Sequence, residues 1–262
     1  GVIGAALGNG LSFVIGALLL IVFWLSNQLS VKYSTIFDLD VDRVKEIFKV
    51  GLPAALEQVI FQIGITAFLI LVAYYGTEAY AAYGIGVQIL SFSFVIGFGF
   101  SIAGATLVGQ HLGAKNKNQA KRAGWGAMRL SIVSMTFFGV IIATFAEPLA
   151  RFMIDNDEVV RLTVIFIWLL GSMQPLMAIE FSLGGALRGA GDTKTPLAIT
   201  LTCLLFIRVF LAVIFFLLDA SIEIIFSTLL ADYIVKGFLY VSRFRSDKWM
   251  NVLKIKEVDQ QL

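Results

Sequence analysis

The segment LRGAGDTKTP, Leu187 to Pro196, stands between two apolar runs that are each long enough to cross a bilayer. Two glycines, an arginine, a carboxylate and a proline packed into ten residues make a tight polar connection. Here that connection joins membrane helices and not strands, which points to a loop of a transporter and away from a soluble nucleotide site.

Composition agrees. Hydrophobic residues make up 58% of the chain, charged residues 15%, and mean hydropathy is strongly positive; soluble domains rarely look like this. A helix needs about 20 apolar residues to cross the hydrocarbon, and seven segments qualify: 1–25, 53–75, 83–110, 125–147, 162–186, 196–218 and 222–242. Because backbone amides in lipid must be satisfied within each span, the expected fold class is all-α, a polytopic membrane helix bundle. The unbroken apolar runs lack the alternation that a membrane β-barrel requires.

Lysine and arginine set the expected orientation. Lys32, Arg43, Lys45, Lys49, Lys115, Lys117, Lys121, Arg122, Arg188, Lys194, Arg243, Arg245, Lys248, Lys254 and Lys256 fall on one side, against Arg151 and Arg161 on the other. By the positive-inside rule the C-terminal tail is cytoplasmic and residue 1 faces out. The formal net charge of only +2 excludes a basic nucleic-acid binder. Residues 1–25 lack the basic leader and cleavage site of a signal peptide and read as a genuine span, so an odd span count without an initiator Met predicts a truncated chain. Cys203 is the only cysteine and lies in an apolar run, which leaves no disulfide or thiolate cluster within one chain.

Between the first two spans, Asp38, Asp40, Asp42 and Glu46 alternate with Arg43, Lys45 and Lys49, while Val41, Val44, Ile47 and Phe48 recur at helical spacing. This predicts an interfacial amphipathic helix. Gly51-Leu52-Pro53 is then expected to break it, with the proline opening the next helix.

Three motifs at predicted cytoplasmic helix ends, KVGLPAALEQ (49–58), VGQHLGAKNKNQAKRA (108–123) and ALRGAGDTKTPL (186–197), in this order and spacing, resemble the C-terminal half of multidrug and toxic compound extrusion (MATE) transporters. The resemblance covers essentially the whole chain. It implies twelve spans in two six-helix lobes related by a pseudo-two-fold axis, of which this chain would hold the last helix of the first lobe (1–25), a cytoplasmic inter-lobe linker (26–50), the second lobe (51–245) and a cytoplasmic tail (246–262). It further implies a multi-pass protein of the plasma (inner) membrane, with drug-like organic cations, the bilayer and the first lobe as partners. No cofactor is implied beyond the coupling ion, H⁺ or Na⁺, and no enzyme activity.

Other chemistry ranks lower. Lys115, Lys117, Lys121 and Arg122 read first as a basic flank for the anionic inner leaflet, and His111 as a helix-end or interfacial residue before a proton relay. Gly189-Ala190-Gly191-Asp192 fits the GxGD pattern of intramembrane aspartyl proteases, yet that chemistry needs a second aspartate sharing the proton. The alternative for Asp192 is a cap on the following helix. One histidine offers no ligand set for a catalytic metal.

Charges inside the spans are the better candidates, since each costs at least about 2.5 kcal/mol at a helix centre. The candidates taken from the spans are Glu57, Glu180, Arg208, Asp232 and Lys236. At about 1.5 Å per residue, Glu57 and Glu180 lie roughly 9 and 10 Å inside the cytoplasmic side, at one level. Gln58, Gln62 and Thr66 extend a polar stripe beside Glu57; Met173, Met177, Glu180 and Gly184 form another on the fifth span, where Gln174-Pro175 should kink the helix. Glu57, Gln58, Gln62, Met177 and Glu180 are therefore the candidate cation and substrate site. The alternative is structural, with Glu57 answering its helix N-terminus and Glu180 a nearby base. Arg208 and Asp232, each about a dozen residues from the turn at Asp219-Ala220, are expected to form a structural ion pair, with Lys236 as the rival partner. MATE relatives often carry an acid on the helices that match spans two and five; Gln62 and Met177 stand where some relatives place it, which leaves two readings: Glu57 and Glu180 as displaced equivalents, or the essential coupling acid in the first lobe. The function expected is secondary active efflux driven by H⁺ or Na⁺. A flippase of lipid-linked precursors is the membrane alternative and the GxGD protease the enzymatic one.

Overall fold

The computed structural model describes residues 2–26 and 41–252. Residues 27–40 of the predicted linker, with Lys32, Asp38 and Asp40, the side chain of Arg43, and the tail from 253 with Lys254 and Lys256 lie outside the described residues.

The described chain is helical, with no strand among its residues. The helices are α1 (Val2–Leu25), α2 (Val41–Ala73), α3 (Thr77–Gly113), α4 (Lys117–Thr144), α5 (Ala146–Met153), α6 (Asp157–Ser172), α7 (Gln174–Gly189), α8 (Lys194–Leu201), α9 (Phe210–Leu217) and α10 (Ile222–Arg245), with a π-helical stretch, Thr202–Val209, joining α8 to α9. Six of the described helical spans are long and apolar enough to cross a membrane, and α6 with α7, bent by 54° at their junction, adds a seventh if the pair is one span. The kink expected at Gln174-Pro175 is this bend, with Pro175 in the first turn of α7. The chain divides into two units, residues 1–46 and 47 onward. The first contains α1, an apolar helix of 24 residues; the second contains most of α2 and all of α3 to α10.

One expectation fails. Gly51-Leu52-Pro53 neither breaks a helix nor starts one, because α2 runs unbroken from Val41 to Ala73 with Pro53 inside it. A proline removes a single backbone donor, and a helix survives that loss with a local bend when both flanks are helical. The flanks here are the amphipathic 41–50 and an apolar run that needs helix for its amides.

Three of the turns use one repeated device. After α7, Gly191 takes φ 81°, its N–H donates to Arg188 O at 2.9 Å, and Asp192 N–H donates to Leu187 O at 2.9 Å; this is a Schellman ending with glycine at the left-handed position. After α3 the same pattern falls on Lys115 (φ 56°), with Lys115 N–H to Leu112 O and Asn116 N–H to His111 O. The left-handed position thus falls on Lys115, just past the small pair Gly113 and Ala114. Asp219 (φ 51°) repeats it between α9 and α10.

Small residues bring α3 and α7 backbone to backbone. A Cβ on Gly185 would overlap the Ser101 carbonyl, one on Gly189 the Ala105 carbonyl, and one on Gly104 would stand 2.9 Å from Ser182 O. Without a hydrophobic force between helices in lipid, such close approach is what holds them. Around this contact one cluster packs Met135, Phe166, Met173, Met177 and Phe226, and a second, toward the LRGAGDTKTP loop, packs Leu187, Cys203, Tyr240, Phe244 and Trp249.

Candidate functional site

The α3–α7 crossing fixes where α7 can present charge. Its last turn carries Arg188, a position that favours a cation because helix C-terminal carbonyls are unpaired. Arg188 Nη1 donates to Glu57 Oε1 at 2.9 Å, and Nη2 to Ser101 Oγ at 3.4 Å; Thr200 Oγ1 of α8 also donates to Glu57 Oε1 at 3.4 Å. Gly184, one turn earlier, leaves the space: a Cβ there would touch Arg188 Nη2 at 3.4 Å and the Tyr240 hydroxyl at 3.5 Å. Glu57 is thus anchored from α7 and α8, with 13% of its side chain exposed, and its arginine is steadied in turn from α3.

Glu180 lies two turns deeper on α7. Lys236 Nζ of α10 stands 3.3 Å from Glu180 Oε1 and 3.4 Å from Asp232 Oδ2, and Arg208, in the π-helical stretch, is in ion-pair contact with the same Asp232 oxygen. Both expected partners of Asp232 therefore reach it. Arg208 and Lys236 each stand 5.3 Å from the ring centre of Tyr233, within range of its π electrons. The side chains of Asp232 and Lys236 are fully buried. Arg208 and Lys236 balance Asp232 and Glu180 to neutrality, the arrangement by which buried charges become tolerable in a bilayer. Glu57 and Glu180 lie within electrostatic reach of each other, so the Glu57–Arg188 pair and the four-residue cluster form neighbouring parts of one polar region.

The other candidates divide. Gln58 and Gln62, with Thr66, lie exposed on α2. Met177 does not join them: it is 1% exposed, packed in the core cluster with Met135 and Phe166, because the bend before α7 turns Met173 and Met177 inward. Sequence reading misses Arg188, Ser101, Thr200 and Tyr233 as members of the site. For Arg188 a signal exists, since it extends the i, i+4 row that runs from Glu180 through Gly184; its place beside a basic loop hides it.

Asp192 is fully engaged. It accepts from Thr195 Oγ1 at 2.8 Å and Thr195 N–H at 3.4 Å, and from Arg243 Nε at 2.8 Å. The carboxylate caps α8 and ties it to α10, the capping role expected for it.

The family model described as MatE matches residues 53–214. This chain belongs to the MATE family. Among curated MATE relatives, a probable multidrug resistance protein NorM of Thermotoga maritima is 36% identical over 214 residues, covering 78% of this chain and 44% of the relative. The multidrug resistance protein NorM of Aliivibrio fischeri is 29% identical over 150 residues, 57% of this chain and 32% of the relative. The chain thus spans less than half the length of these MATE proteins. Among solved structures, a MATE protein in complex with MaL6 superposes with a TM-score of 0.83 at 20% identity, covering 95% of this chain and 58% of that one. The eukaryotic MATE transporter AtDTX14 gives 0.82 at 21% identity, covering 94% and 56%. The fold is therefore that of MATE transporters, and the chain is a multi-pass membrane protein.

Proposed function

We propose that this chain is the C-terminal part of a secondary active multidrug efflux transporter, in which residues 51–245 form the second lobe, joined through 26–50 to a first lobe that completes the translocation path. The lobe exchanges organic cations for H⁺ or Na⁺ by alternating access in the plasma membrane, with the tail cytoplasmic. The observation that carries this reading is the Glu57–Arg188 pair beside the Glu180–Lys236 contact. Each acid is neutralised by an internal base, so a proton, Na⁺ or a cationic drug that takes the carboxylate must release the base, and release of the cation restores the pair. That is a two-state exchange of partners, the element an antiporter needs. The curated names of the NorM relatives support multidrug resistance as the setting.

Charge balance favours this over a flippase. A phosphate site needs uncompensated cations, whereas Arg208 and Lys236 are answered by Asp232 and Glu180. The test uses the full-length protein in liposomes with imposed H⁺ or Na⁺ gradients and ethidium as substrate. Gradient-driven efflux is expected for wild type and its loss for Glu57→Gln/Glu180→Gln at matched expression. Wild-type coupling in the double variant would move the essential acid to the other lobe, and efflux by this chain alone would overturn the two-lobe reading.

A further inference from the structure

The outer face of α4 carries a cleft of about 520 Å³ lined by Asn118, Lys121, Arg122, Trp125, Gly126 and Arg129. These positions follow helical spacing along one side of the helix. Lys121 is held by Asp247 at 2.7 Å. Arg122 and Arg129 are exposed and make no ion pair or hydrogen bond among the described residues. Arg129 lies about 18 Å along the helix from Lys117, inside the span read as 125–147, where an unpaired guanidinium is costly. Its side chain lines the same cleft as Arg122, as expected of a long cation that keeps its charge toward the membrane surface. Trp125 is fixed between them by an edge contact with Phe244, ring centres 5.2 Å apart. A Cβ at Gly126 would meet nothing within 4 Å, so the cleft is open there.

Below the cations the same face turns apolar. Leu130, Val133 and Phe137, at the spacing that continues from Gly126, are 62%, 68% and 61% exposed. Cations over a cleft, an indole at the boundary and an exposed apolar stripe beneath form a surface with the two chemistries of one kind of ligand. The geometry points to a binding site for an anionic phospholipid, its headgroup phosphate taken by Arg122 and Arg129 and its acyl chains laid along Leu130, Val133 and Phe137. Arginine's planar fork suits a phosphate bidentately, and clustered Lys and Arg at the cytoplasmic ends of membrane helices attract anionic headgroups. That the leaflet is the cytoplasmic one rests on the proposed orientation of the lobe; the lipid chemistry does not.

The test is native mass spectrometry of the purified full-length protein incubated with phosphatidylglycerol or phosphatidylcholine. Wild type is expected to retain phosphatidylglycerol in preference, and Arg122→Gln/Arg129→Gln to lose that preference by at least about tenfold, from two headgroup charges. Gly126→Leu keeps both arginines but fills the cleft, and is expected to lose it as well, which keeps the proposal testable if the double variant does not fold. Three outcomes overturn it: equal retention by wild type and the folded variants; the same loss in Lys194→Gln/Arg245→Gln, exposed cations elsewhere on that side; or displacement of the lipid by millimolar inorganic phosphate, which would make this a site for a free oxyanion.

Discussion

Arg188 reaches Glu57 across 131 positions of sequence, with Nη1 at 2.9 Å from Oε1. The contact joins the end of α7 to the start of the apolar part of α2, so the state of one carboxylate bears on how two spans are held together. Thr200 shares the same oxygen at 3.4 Å, which brings α8 into the same dependence. Releasing Arg188 from Glu57 would therefore loosen three helices at one end of the lobe while the glycine contact between α3 and α7 stays closed.

If Arg188 competes with the transported cation for Glu57, removing it should strengthen cation binding and slow turnover. Arg188→Gln is expected to tighten tetraphenylphosphonium binding to the full-length protein by about tenfold, the scale of one charge-assisted hydrogen bond at about 1.4 kcal/mol. Efflux in liposomes should fall, since release of the cation would no longer be driven by the returning guanidinium. Weaker binding in this variant, measured by isothermal titration calorimetry, would mean that Arg188 only positions the carboxylate.

The buried cluster makes a different prediction. Asp232 answers both Arg208 and Lys236, and breaking a buried pair from one side strands the remaining charge at a cost of about 3 to 5 kcal/mol. Asp232→Asn should lower thermal stability in detergent far more than Arg208→Met/Asp232→Leu, which removes both charges and leaves Lys236 with Glu180. Equal melting temperatures for the single and double variants would show the pair is not coupled.

The span pattern is legible in the sequence because a bilayer forces each crossing to declare itself as about 20 apolar residues, and the capping role of Asp192 is legible because Thr-Lys-Thr-Pro follows it. Arg208 and Asp232 can be placed at one depth, since a short turn fixes the register of two antiparallel helices. Met177 cannot, because the direction a side chain takes after a 54° bend depends on packing against α3 and α4. Pro53 misleads for a related reason: a lone proline reads as a boundary, and only the helical demand on both sides shows that it is crossed. Arg129 escapes notice because a charge four residues inside a predicted span looks like the end of a loop.

The glycines of α7 are not equivalent, although they are neighbours in sequence. A Cβ on Gly185 would collide with the backbone of Ser101, which has nowhere to go, whereas one on Gly184 would meet only side chains, at 3.4 to 3.5 Å. Gly185→Ala is expected to destabilise by about 1 to 3 kcal/mol through overpacking, seen as a lower melting temperature and poorer yield. Gly184→Ala should fold normally. If the two variants behave alike, α3 and α7 do not meet backbone to backbone in the folded protein.

The last prediction separates structure from chemistry at Asp192. Its oxygens accept from Thr195 and from Arg243, whose Nη2 stands 2.7 Å away, so the side chain both caps α8 and fastens it to α10. Asn keeps one acceptor for the cap but loses the charge that holds Arg243. Asp192→Asn should therefore cost roughly 1 to 2 kcal/mol, in the range of a lost charged hydrogen bond, and Arg243→Gln should cost a similar amount. Because the two side chains act on each other, the double variant should cost less than the sum of the singles. Thermal melts of the four proteins give the coupling directly, and transport per folded molecule should survive in all of them. Complete loss of function in a well-folded Asp192→Asn protein would assign that carboxylate a chemical role after all.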